Sequence, residues 1–275
     1  MNIMNDAQQT AYNFVVGQAY SVNSTVYETK FPDLDFSRLV YVDTSAPEWT
    51  PGIITFMSST TGAARWYSSG AKDVAKADTT RDKSQVNVHM AAVGYGYDLE
   101  EIGQAQLLGM DLPSGKALSA RRAYTEFMWN VTLTGDTTKG LKGLANQSAV
   151  TSGLAPADGT GSVTTWFDGS GNATKTATQI VRDFNNVLTG VFTGSLTVEI
   201  VDTVLLPYSI LGYLAATPMS STNDTTILEF IQKNNILTST RGIPITIRGE
   251  LGLDTAGAGS TKRMLAYSNR EDVVK

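Results

Sequence analysis

The sequence predicts an α+β fold, and three features of it do so. Early in the chain, β-prone runs flank a long polar stretch with no helical stripe. After Asp98, apolar residues recur at helical spacing over more than thirty positions. Beyond a glycine-rich tract at 135–175, helical and β-prone segments alternate in short pieces, as in one mixed layer.

Residues 1–50 open with a stretch, Asp6 to Ala19, that places Ala7, Ala11, Phe14 and Val15 on one face of a short helix. From Phe31 to Pro51 the chain reads as extended, with Leu39-Val40-Tyr41-Val42 β-prone. Gly52–Ser58 predicts one strand and Ser84–Tyr95 a second, in which Val86, Val88 and Met90 alternate. The polar stretch Lys72–Lys83 between them mixes both signs of charge. Together these make a two-stranded excursion with a charged tip. A lone hairpin is marginal in water, so it needs a neighbouring protein surface to lie on.

Asp98 is placed to cap a helix running to Met110, with Glu100 and Glu101 in the first turn, where the helix dipole favours them. Leu112-Pro113 interrupts it. Ser114 is placed to cap a second, longer helix on which Ala117, Ala120, Tyr124, Phe127, Met128 and Val131 share a face, and Gly135-Asp136 ends it. A subdomain boundary is expected in the glycine-rich tract. Next comes an amphipathic helix capped by Thr174 or Thr176, carrying Ile180, Val181, Phe184, Val187, Leu188 and Val191. A strand at Ser195–Asp202 and a short helix near Tyr208–Ala216 follow. A helix capped by Asp224 and strands at Ile243–Ile247 and Arg263–Ser268 complete the layer.

Composition narrows the function. The chain has 275 residues, 41% hydrophobic and 17% charged, enough apolar mass for a substantial core. It has no cysteine and one histidine, His89, so disulfides, thiolate zinc sites and multi-histidine metal sites within one chain are excluded. A net charge of −5 argues against a general nucleic-acid binder, though a local basic face stays compatible with it. Nothing reads as a membrane span or a secretory signal. The triplets at Asn23, Asn130, Asn146, Asn172 and Asn223 therefore read as chance in a chain rich in Ser, Thr and Asn.

Motifs of chemistry fail one by one. Gly135–Lys142 suggests a phosphate loop, but its lysine comes late and a helix precedes it where a strand is required. Gly94-Tyr95-Gly96 lacks the third glycine of a dinucleotide fingerprint. Asp168–Asn172 starts like a calcium loop but has Ala173 at the turn position and Gln179 where a bidentate Glu belongs. His89 sits in an apparent alternating strand, as a packing or solvated residue. Glu100 and Glu101 are the residues on which a carboxylate-dependent hydrolase would rest, and helix-start electrostatics accounts for them. Arg121-Arg122 reads as a solvated helix face.

The order of parts, together with several short words, carries a resemblance. Tyr95-Gly96-Tyr97-Asp98-Leu99-Glu100-Glu101-Ile102, Ala120-Arg121-Arg122-Ala123, Gly140-Leu141-Lys142-Gly143-Leu144-Ala145-Asn146, Asp224–Phe230 and Arg263–Tyr267 are similar to segments of tailed-bacteriophage major capsid proteins. The resemblance spans roughly residues 50–270. It implies a Hong Kong 97-type capsid fold: N-terminal arm (1–50), extended β-hairpin loop (51–97), peripheral domain with a long spine helix (98–150), α/β axial domain (151–262), and a return strand (263–275) cut short at Lys275. The arm leaves no room for a scaffolding segment.

The implied function is a structural virion subunit, with no enzyme activity and no cofactor or metal. It self-assembles into pentamers and hexamers of an icosahedral shell around double-stranded DNA, in the host cytoplasm. Scaffold, portal and decoration proteins are the implied partners, with no membrane involved. An encapsulin-like nanocompartment shares the implied fold and is the alternative. Arg65, Lys72, Asp73, Lys76, Asp78, Arg81, Asp82 and Lys83 are the expected inter-subunit contacts, supplying register and specificity more than affinity.

Overall fold

A computed structural model describes residues 30–47, 49–66, 74–108, 112–148 and 150–274. The expected helix at Asp6–Ala19 lies outside them. The chain falls into two compact units, Met1–Asp33 and Leu34–Lys275. Of the first, Lys30–Asp33 is described and is irregular and exposed.

The second unit opens with a single 3-10 turn, Phe36–Arg38, capped by Asp35, whose carboxylate accepts from Ser37 N–H at 3.1 Å. The β-prone segment Leu39–Val42 forms no strand. Leu39 is buried in a cluster with Trp129, Leu133, Ala145, Leu205 and Leu253, and the segment is tied down by side chains. Tyr267 Oη donates to Leu39 O at 2.6 Å and Arg248 donates to Arg38 O at 3.1 Å. Burial raises the Tyr267 phenol's pKa well above its ordinary value.

Strands β1 (Gly52–Thr61) and β2 (Asp78–Asn87) pair antiparallel over their whole length, from Gly52↔Asn87 to Thr61↔Asp78. The second strand thus begins six residues before the expected Ser84 and ends at Asn87. Thr79 and Thr80 are β-branched strand formers like the valines beyond, and pairing with β1 decides the register. Residues 88–98, His89 among them, are irregular and exposed.

Helix α1 (Leu99–Leu108) starts as expected: Asp98 O accepts from Ile102 N–H, and the Glu101 carboxylate reaches back to Asp98 N–H at 3.4 Å. Helix α2 (Leu112–Thr134) begins two residues before Ser114, which lies inside its first turn. Proline in a first turn forfeits no hydrogen bond, so Pro113 is accommodated. Its 23 residues make a rod of about 35 Å. Gly135, at φ 72°, ends it and opens a tight hairpin of β3 (Gly135–Asp136) and β4 (Leu141–Lys142). That hairpin occupies the segment once compared with a phosphate loop. Gly143 packs against the end of α2 so closely that a Cβ there would lie 2.5 Å from Leu133 and Gly135 backbone atoms.

Helix α3 (Ala177–Gly194) is fixed by a capping box: Thr176 Oγ1 accepts from Gln179 N–H at 3.4 Å, and the Gln179 side chain accepts from Thr176 N–H at 2.8 Å. Ile180, Val181, Phe184 and Leu188 face the larger core, whereas Val187 and Val191 stay exposed. The strand expected at Ser195–Asp202 is absent. Leu196 and Thr197 take positive φ, which no strand permits, and the ladder begins at Thr203.

Strand β5 (Thr203–Pro207) is buried throughout and central in a sheet of order β8-β5-β9, parallel to β8 (Thr246–Glu250) and antiparallel to β9 (Leu265–Tyr267). Alternation along it feeds two cores. Val204 and Leu206 join the larger cluster with α3, and Leu205 joins the smaller one with Trp129 and Leu133 of α2.

Helix α4 (Tyr208–Ala216) lies where expected. Strands β6 (Pro218–Ser220) and β7 (Asn223–Thr226) form a small antiparallel pair that takes in Asp224, so the cap of α5 (Ile227–Lys233) is Thr226. Its hydroxyl accepts from Glu229 N–H at 3.2 Å. A further helix, α6 (Ile236–Arg241), was not expected. Asn235 both stops α5 and caps α6, donating to Ile231 O and accepting from Thr238 N–H, each at 2.9 Å. Strand β8 sits three residues after the expected Ile243 start. The turn near 258 is a 3-10 element, Ala258–Ser260.

Candidate assembly interface

The hairpin stands out of the fold. Every residue of β1 and β2 except Gly52 is exposed, and neither hydrophobic cluster includes any described residue from 51 to 98. Its base is closed by Val88 N–H donating to Pro51 O at 3.0 Å. Of the eight charged candidates, Lys72 and Asp73 lie outside the described residues. Arg65 and Lys76 sit in the exposed loop segments beyond the ladder. Asp78, Arg81, Asp82 and Lys83 belong to β2 itself rather than to the tip, opposite Thr61, Ser58, Met57 and Phe56. Asp82 accepts from Lys83 N–H at 2.8 Å and Asp78 from Thr79 N–H at 2.7 Å. No ion pair joins Arg81 or Lys83 to another described residue.

The charge motif alone missed the apolar half of this surface. Ile53, Ile54, Phe56, Met57 and Val86 are exposed on the ladder, and Trp66 is fully exposed beyond it. The available signal was the apolar pairs Ile53-Ile54 and Phe56-Met57 in β1, where a strand covered on one side would alternate.

The long helix is a second unpartnered surface. Its expected stripe does not face the core: Tyr124 and Phe127 are exposed with Leu118, and Trp129 and Leu133 are the buried side chains. Trp129 Nε1 donates to Glu250 at 2.7 Å, and burial of Glu250 outweighs that bond, raising its pKa. Only the last turns of α2 enter the core. The rest needs cover from elsewhere, because large apolar side chains along a bare rod mark contact surfaces.

Lys116 of α2 fastens the hairpin's exit to the helix. It donates to Gly96 O at 2.7 Å, pairs with the Glu101 carboxylate, and lies over the Tyr97 ring at 5.4 Å from its centre. The Lys116 hydrogen bond, assisted by Asp98 N–H, holds the Glu101 carboxyl below its ordinary range. Glu100 bonds instead to Gln104 at 3.3 Å. The two carboxylates therefore serve separate structural bonds and do not converge as an acid–base pair. Asp168 is likewise spoken for: its oxygens accept from Ser170 N–H, Asn172 N–H and the Asn172 amide at 2.8–3.0 Å, which makes a turn and not a cation loop. Among the described residues no cluster of His, Asp and Glu could hold a metal ion, and no helix is long and apolar enough to cross a membrane.

A charge network missed by sequence reasoning binds the glycine-rich tract to α3. The buried Lys175 ammonium donates to Asp183 at 2.6 Å and Pro156 O at 2.8 Å, and lies 3.1 Å from Asp158. Arg182 bridges the same two carboxylates at 2.5 Å each, and Trp166 Nε1 donates to Asp183 at 3.1 Å. The Arg182 hydrogen bond, above all, draws the Asp158 carboxyl from 3.8 down to about 2, with Lys175 adding to it against desolvation. A depressed carboxylate stabilises the fold fully above its unfolded value and loses that contribution as pH falls through its folded value. Wild type should therefore melt above Asp158→Asn at neutral pH, with the gap closing between about pH 4 and about pH 2 in thermal melts followed by circular dichroism.

An exposed two-sided ribbon and a largely uncovered rod give this chain two extensive surfaces open to contact with other molecules. Comparison with known proteins agrees. A family profile described as "Major capsid protein" matches residues 62–275. Five chains among solved structures match. One, from "The capsid of Myoviridae Phage XM1", superposes with a TM-score of 0.71 at 16% identity, covering 98% of this chain and 83% of that one. The search of curated proteins found no match. The chain belongs to the major capsid protein family, and its role is that of a structural capsid subunit of a virion.

Proposed function

We propose that this subunit builds the icosahedral shell of a tailed phage, closing pentamers and hexamers around double-stranded DNA in the host cytoplasm, with a Hong Kong 97-type division of labour. In this reading residues 1–50 are the arm, 51–97 the extended loop, 98–150 the peripheral part with α2 as spine helix, 151–262 the axial part, and 263–275 the return strand. The observation that carries it is the hairpin: a ladder of two ten-residue strands exposed at every position but one. A ribbon of that length is not stable on its own, and a neighbouring subunit is the surface that a shell supplies. Arg65, Lys72, Asp73, Lys76, Asp78, Arg81, Asp82 and Lys83 set its register there. Many modest interfaces then add up through symmetry. Scaffold, portal and decoration proteins are the further partners in this reading.

Electron microscopy and native mass spectrometry of the purified full chain test this, with and without a co-expressed scaffold. Rings of five and six and closed shells are expected. A persistent monomer under both conditions would sink the proposal.

A further inference from the structure

The β1–β2 hairpin joins the rest of the unit through two stretches that packing does not hold. Residues 41–47 lead toward it and residues 88–98 lead away, and both stretches are irregular and exposed throughout. Gly94 and Gly96 flank Tyr95 in the exit, and a side chain added at either would meet nothing within 4 Å. Glycine has the widest choice of backbone conformations, so the exit has no steric reason to keep one path. Helix α1, which follows, adds no anchor by burial: none of residues 99–106 is buried.

One side chain of α2 supplies what packing does not. Lys116 donates to Gly96 O at 2.7 Å, the carbonyl of the second glycine itself. The same ammonium pairs with Glu101 in the first turn of α1 and lies 5.4 Å from the centre of the Tyr97 ring. Tyr95 stands edge-on to that ring at 6.0 Å, and Glu101 also accepts from Asp98 N–H at 3.4 Å. A single cation therefore grips the end of the exit stretch, an aromatic ring within it and the start of α1. These contacts approach the ammonium from different sides, and they hold together only while the exit keeps one course.

We infer that Lys116 is a positioning residue, a clasp that fixes the direction in which the hairpin leaves the free subunit before any partner is met. An arm already aimed spares its partner the cost of ordering it. The inference concerns the single subunit, so it stands or falls independently of the shell reading.

The chain has no cysteine, so pairs of spin labels can be placed without background. Gln85→Cys, near the base of β2, and Thr189→Cys, exposed on α3, report the hairpin's direction. Thr189→Cys with Gln232→Cys on α5 reports the body alone. Distances are measured by pulsed electron spin resonance on monomeric full-length chain diluted into unlabelled chain. With Lys116 in place the first pair should give one narrow distance distribution. Lys116→Met keeps the stem and removes the charge, and it should widen that distribution at least about twofold while the second pair stays unchanged. Glu101→Ala leaves α2 intact and should widen it too, which carries the test if Lys116→Met disturbs the body. A distribution as narrow in the variants as in the parent, with the body pair unchanged, overturns the clasp. A parent distribution already as broad as that of the variants overturns it equally.

Discussion

Lys175→Met is expected to destabilise the subunit by about 3 kcal/mol, the low end of the cost of breaking a buried ion pair, because it removes the buried one of the two cations that pair with Asp183. The lysine side chain is fully buried, and its ammonium donates to Asp183 and Pro156 O and forms an ion pair with Asp158. Arg182 keeps one carboxylate oxygen paired, but it is half exposed and cannot fill the space that Lys175 leaves. The double substitution Lys175→Met/Asp183→Leu should lose less than the sum of the two single changes, since it removes both buried charges together. Urea denaturation of the four proteins measures the coupling. Additive losses would mean that the pair does not act as a unit.

The second large effect falls on assembly. Replacing Gly52–Asn87 by a short glycine-containing turn should abolish shell formation and leave the rest of the unit folded. Pro51 and Val88 are already hydrogen-bonded neighbours, so a tight turn spans the cut, and no described residue of the deleted stretch belongs to either core. Melting should shift by no more than about 1 kcal/mol equivalent, while electron microscopy shows no closed particles. Shells of normal appearance from the shortened chain would remove the hairpin from the assembly mechanism.

Both predictions concern residues whose partners lie far apart in sequence or in other molecules, and that is where sequence reading falters. Some helix ends were legible from local caps: Thr176 with Gln179 starts α3, Asp98 precedes α1, and Gly135 ends α2, whereas the caps expected at Ser114 and Asp224 gave way to a start at Leu112 and a cap at Thr226. Capping is a local exchange of a few hydrogen bonds, so nearby residues suffice to specify it. Strands were placed less well. Ser195–Asp202 has the composition of a strand, yet the ladder forms at Thr203–Pro207. A strand's position depends on partners at 246–250 and 265–267, which no local window contains.

The cysteine-free chemistry, the helix at 177–194 with its cap and the exposed charged ribbon were determined by the sequence alone. Three things were decided only by the tertiary structure. The stripe on α2 points outward, Leu39 is buried rather than laddered, and Lys175 closes a network with Asp158 and Asp183 across a glycine-rich loop. Periodicity tells which residues share a face, but only packing against distant elements determines which face is covered and which is left for another molecule.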